Sequence, residues 1–135
     1  MSGYDVRPIG RVRSSLTDPA KAPKQGDEGA PDARIEILPE FAAGIGGLTE
    51  GADVLLLTWL HKADRSVLQV HPRDDASRPL AGVFLTRSAD RPNPIGLHRV
   101  RVLSVDGRVL TVRGLEAVDG TPVIDLKPVL SRTDR

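Results

Sequence analysis

Apolar and polar residues alternate from Ala33 to Leu38 (ARIEIL), which predicts a strand with one face in a core. Val6 to Val12 (VRPIGRV) predicts a short first strand, with Pro8 near its edge. Asp53 to His61 (DVLLLTWLH) is instead a near-continuous apolar run, most simply a central strand buried on both faces. Ser66 to Val70 is a weaker strand segment. Ala81 to Thr86 is another, and it feeds a loop dense in Arg, Pro and Asn. Leu97 to Val105 and Arg108 to Leu115 are two strands around Asp106-Gly107, a strong hairpin signal. Asp119-Gly120 repeats that signal before Pro122 and the strand Val123 to Leu126. Pro39 to Ile45 predicts one or two helical turns, opened by proline and ended by Gly46-Gly47. Many short strands with regular turns predict a mainly β fold, a small barrel or sandwich, with one or two short helices.

The chain has 135 residues, which suits a single domain spanning 1–135 and is enough to bury a core without staples. It contains no cysteine, which excludes disulfides and thiolate metal sites and fits a reducing, cytoplasmic setting. No apolar run has the length of a membrane span, and the first residues do not read as a signal peptide. Lys plus Arg is 19 against 18 Asp plus Glu, a net charge of +1, which is not the footprint of a general nucleic-acid binder. Aromatic residues are too scarce for an aromatic-rich RNA-stacking sheet. No glycine-rich strand-to-helix fingerprint is present, so a Rossmann-type nucleotide site is not supported.

The most informative segment is GVFLTRSADRPNPIG, Gly82 to Gly96. Pro92 and Pro94 end any regular ladder and bias Arg91 and Asn93 toward extended backbone. The result is a stiff loop that holds Arg87, Arg91 and an amide, so part of the cost of ordering a binding loop is met in advance. Ser14 to Pro31 is an unusually long polar loop, either functional or partly disordered.

GVFLTRSADRPNPIG, together with LEAVDGTPVIDLKP (Leu115 to Pro128), closely resembles the TsaA-like family, which includes the TrmO-type tRNA threonylcarbamoyladenosine methyltransferases. IGRVRS (Ile9 to Ser14), APKQG (Ala22 to Gly26) and LLLTWLHKAD (Leu55 to Asp64) extend the resemblance over most of the chain. The resemblance implies a small β-barrel that binds S-adenosylmethionine (SAM) outside a Rossmann fold, and a homodimer with cofactor sites near the subunit interface. It places cofactor contacts at Pro23, Lys24, Gln25, His61, Lys62, Arg87, Leu97, Val118, Asp119 and Gly120. Two departures stand out. Lys24 replaces a frequent arginine, and bacterial tRNA-modifying members commonly carry an extra C-terminal segment where this chain ends at Arg135.

A SAM site wants a guanidinium or backbone N–H for the carboxylate, acceptors for the cations and an apolar slot for the ring. Arg87 and Arg91 offer fixed forks, the Val-Asp-Gly turn offers Asp119, and Leu97 and Leu115 offer apolar surface. The bland use of Arg87 and Arg91 is surface pairing with Asp90 and Asp119. Asn93 either caps its own loop or presents its amide to a substrate, as Arg91 presents its fork. His61, His71 and His98 match no metal spacing, so no metal is expected. His71 reads as a turn residue and His98 as a solvent-facing strand residue. His61, next to the apolar strand, is either a core-edge residue or a group reaching a pocket. With Asn93 and Asp119 it makes up the candidate catalytic set. The leading reading is a SAM-dependent methyltransferase acting on a modified adenosine beside the tRNA anticodon. A methyltransferase of a small metabolite and a non-catalytic SAM-binding regulatory barrel are the alternatives.

Overall fold

A computed structural model describes residues 3–18 and 30–130. Six strands close into an antiparallel barrel in the order β1-β2-β7-β6-β3-β8: β1 (Gly10–Arg13), β2 (Ala33–Ile37), β3 (Asp53–Trp59), β6 (Ile95–Asp106), β7 (Val109–Arg113) and β8 (Pro122–Pro128). β8 pairs back onto β1 through Gly10 opposite Val123, so the sheet has no open edge. Two short strands outside the barrel, β4 (Gln69–Val70) and β5 (Ala81–Gly82), pair only with each other.

Period-two alternation puts Val12, Ile35, Leu56, Val102, Leu110 and Val112 inside, each fully buried. Pro39–Ile45 is a 3-10 helix ended at Gly46. Its Phe41 and Ile45 pack partly buried against the barrel core.

Several expected elements shift. β1 starts at Gly10 rather than Val6, and β6 runs longer, from Ile95 to Asp106. The hairpin turn is Gly107-Arg108, closed by Asp106 opposite Val109, and Gly107 takes φ 59°. β3 is not buried on both faces. Val54, Leu56 and Thr58 are buried while Leu55, Leu57 and Trp59 are half-buried, because one face fills the barrel and the other looks outward. Ala81 to Thr86 keeps only two strand residues before a 3-10 turn, Val83–Leu85. Ser66 to Val70 likewise keeps only Gln69 and Val70.

Candidate active site

β3 and β6 run antiparallel with Trp59 opposite Ile95 and Thr58 opposite Gly96. The end of β3 and the start of β6 therefore share one end of the barrel. The excursion between them, residues 60–94, arches over that end, and a cleft of about 670 Å³ opens beneath it. Its lining joins Leu60, His61 and Lys62 after β3, Thr86 to Arg91 of the Arg/Pro loop, Ile95 to His98 of β6, and Glu116 to Val118 between β7 and β8. The two sequence motifs thus converge on one concavity.

The loop wall is tied by side chains. The Arg91 guanidinium donates to the backbone carbonyls of Val83 (2.6 Å), Ser88 (3.0 Å) and Thr86 (3.2 Å). Its donors brace the loop although the residue borders the cleft. Asn93 is exposed and absent from the lining. Its Oδ1 accepts from Arg65, whose Nε also donates to the Pro92 carbonyl at 2.7 Å. The same guanidinium lies 5.0 Å from the centre of the Trp59 ring, so one arginine fastens the proline loop to the end of β3. Nothing in the sequence singles out Arg65, because its partners lie about thirty residues away. The expected pairing of Arg91 with a substrate meets this geometry: three carbonyls already take its N–H groups.

Arg87 is different. It lines the cleft, is exposed, and has no ion pair among the described residues. His61 and Lys62 stand at the rim, both exposed. Burial, with Lys62 and Arg11 nearby, pushes the His61 imidazole below its ordinary value, which favours the neutral ring. Lys62 Nζ donates to the Thr17 carbonyl at 3.4 Å, so the chain enters the long polar loop from the rim of the cleft. Pro23, Lys24 and Gln25 lie outside the described residues.

The Val-Asp-Gly turn divides. Val118 lines the cleft, but Asp119 and Gly120 do not. Asp119 Oδ1 accepts from the Ser14 N–H at 3.0 Å, its own N–H donates to the Leu16 carbonyl, and the Gly120 N–H donates to Val12. Asp119 borders a second, smaller hollow with Arg13, Ser14 and Arg34. Leu97 lines the cleft at partial exposure, whereas Leu115 is fully buried in the core and offers no surface to a ligand.

The floor holds what the sequence misread. His98 is 4% exposed and faces inward, not solvent. In β6, Gly96, His98 and Val100 share the inward face, and position 98 falls on it by strand alternation. His98 Nε2 lies 2.7 Å from Thr58 Oγ1, and Nδ1 lies 2.5 Å from Glu116 Oε1. A carboxylate only accepts, so Nδ1–H donates to Glu116 and, in the neutral ring, Nε2 accepts the Thr58 hydroxyl proton. Gly96 makes room for this chain, since a Cβ there would stand 2.6 Å from His98 Nε2 and closer still to Thr58 Oγ1.

A closed six-stranded antiparallel barrel, with a cleft at its end walled by an arginine-proline loop, is the frame of a small-molecule-binding protein outside the Rossmann architecture. Residues 11–135 match the family described as the tRNA-methyltransferase O N-terminal domain, and the chain belongs to that family. It is 44% identical over 129 residues to a probable S-adenosyl-L-methionine-binding protein of Methanothermobacter thermautotrophicus, covering 96% of this chain and 92% of that one. It is 41% identical to an S-adenosyl-L-methionine-binding protein of Archaeoglobus fulgidus, with 90% and 86% covered. Among solved structures, TrmO from Pseudomonas aeruginosa superimposes with a TM-score of 0.77 at 33% identity, over 98% of this chain. The chain spans 59% of that protein's length. The family is one of SAM-dependent methyltransferases, and SAM is its cofactor.

The residues present suit that molecule. Leu97, Ala117 and Val118 give apolar surface for a ring, Arg87 gives a free fork for a carboxylate, and Glu116 gives an acceptor beside them. The volume is within the range of small-molecule sites.

Proposed function

We propose that the chain transfers a methyl group from SAM to a nitrogen of a modified adenosine beside the tRNA anticodon. The observation that carries this reading is the cleft in which the Arg87 loop, the end of β3 and the 116–118 segment meet. Bound there, SAM supplies an electrophilic methyl on a sulfonium. Arg87 takes the carboxylate, Leu97 and Val118 flank the ring, and Lys62 closes the rim. The family resemblance assigns further cofactor contacts to Pro23, Lys24 and Gln25, which lie outside the described residues. His61, on the cleft rim with its pKa lowered, is neutral at neutral pH and is the proton acceptor of this scheme. Positioning of the acceptor against the cofactor provides much of the remaining rate. Asn93, Arg91, Asp119 and Gly120 serve by holding the walls in place.

The protein acts in the cytoplasm as a homodimer. The exposed apolar side chains of Phe84 and Leu85, the latter in the cleft lining, support that assembly. Among the described residues no helix is long and apolar enough to cross a membrane.

The test is transfer of labelled methyl from SAM into bulk tRNA, followed by nucleoside mass spectrometry. Label in one methylated adenosine derivative is expected. Label appearing only in the small-molecule fraction of a cell extract would move the substrate to a metabolite. SAM binding without transfer to either pool would leave a regulatory barrel.

A further inference from the structure

Thr58, His98 and Glu116 form a hydrogen-bonded chain from the barrel interior to the cleft. Thr58 is fully buried, the His98 side chain is 4% exposed and that of Glu116 is 16% exposed. Only the last two border the cleft. A barrel end is ordinarily filled by apolar side chains. Enclosing an imidazole against a carboxylate costs desolvation that an apolar pair of the same volume avoids. Position 96 also gives up a side chain to admit the pair. Both costs converge on fixing one carboxylate at the cleft floor.

We infer that His98 is a positioning residue for the cofactor: oriented by the Thr58 hydroxyl, it holds the Glu116 carboxylate in the orientation that accepts hydrogen bonds from SAM. One Glu116 oxygen is taken by His98 Nδ1, and the other is available to the amine or hydroxyl donors of the ligand. A glutamate on a segment without regular structure has several rotamers, and pinning it before binding removes part of the entropy cost. Thr58 fixes the ring in turn, so a buried hydroxyl acts on affinity without touching the ligand. The inference rests on the cleft being the SAM site and is independent of the methyl acceptor.

Calorimetry with SAM alone tests it, with thermal unfolding as a control for folding. Wild-type binding that Arg87→Ala weakens checks the cofactor site itself. Given that binding, Glu116→Gln is expected to weaken SAM by about tenfold or more, because an amide presents its acceptor without charge. His98→Leu is expected to match that loss, and His98→Asn, whose amide can still donate to Glu116, to recover most of it. Thr58→Val gives a smaller loss of the same sign. In 15N spectra, the His98 ring nitrogens of the wild type shift on adding SAM, and those of Glu116→Gln do not. If Glu116→Gln binds SAM as tightly as wild type, the inference is wrong. It is equally wrong if folded His98→Leu and His98→Asn bind alike. Should His98→Leu fail to fold, Glu116→Gln and Thr58→Val decide the matter.

Discussion

The cleft has two unlike walls. Its floor is mostly strand: Gly96 and His98 of β6, backed by Thr58 of β3, with His98 holding the Glu116 carboxylate of the segment between β7 and β8. Its roof is the excursion between β3 and β6, where regular pairing shrinks to two residues on each of two strands and side chains hold the backbone instead. Strand pairing and the Thr58–His98–Glu116 hydrogen bonds restrict the groups on the floor. The roof is more exposed and carries most of the charge around the cleft: Arg87, Arg73 and Asp90 line it from there, against Glu116 on the floor. A site built this way takes one firmly held carboxylate from its floor and its cationic groups from its roof.

The largest expected effect breaks the floor. Gly96→Ala drives a methyl into the Thr58–His98 contact, which must move apart, and overpacking of this kind costs about 1–3 kcal/mol. A fall in Tm together with weakened SAM binding is the expected pair of results. An unchanged Tm would mean that the floor yields as easily as the roof.

Two arginines on the roof sharpen the contrast. Arg87→Ala removes a group with no ion pair among the described residues, so SAM affinity falls by about tenfold or more while Tm stays put. Arg91→Ala removes three bonds to backbone carbonyls. It should loosen the loop around Val83 to Arg91, and protease cutting there should rise roughly tenfold with the barrel still folded. Equal effects from both substitutions would erase the distinction between a binding arginine and a bracing one.

The smallest effect belongs to the rim. His61 has a folded pKa below its ordinary 6.5, so the unfolded chain binds more protons in the window at and below that value. The sign follows: its contribution to stability is present above about pH 6.5 and is lost as pH falls through the lowered value. His61→Gln should flatten the slope of stability against pH in that window. A slope unchanged by the substitution would remove His61 as its source.

Local chemistry in the sequence determined most barrel strands, the hairpin turn near Gly107 and the helical turns from Pro39, but not where β1 starts or how short β4 and β5 are. Alternation, prolines and glycines act over a few residues and leave a readable pattern. The motif resemblance likewise marked the Arg87 loop and the 115–128 segment as partners. Only the closed barrel decided which atoms meet. The same alternation that makes Arg99 exposed buries His98, yet the sense of that alternation depends on which face of β6 turns inward. Arg91 and Arg87 lie in one short loop, and the carbonyls that occupy one but not the other come from the folded backbone. Glu116 becomes a floor residue because β7 and β8 bring it beneath a histidine eighteen positions earlier. Such contacts follow from chain closure, a long-range property that no stretch of residues carries alone.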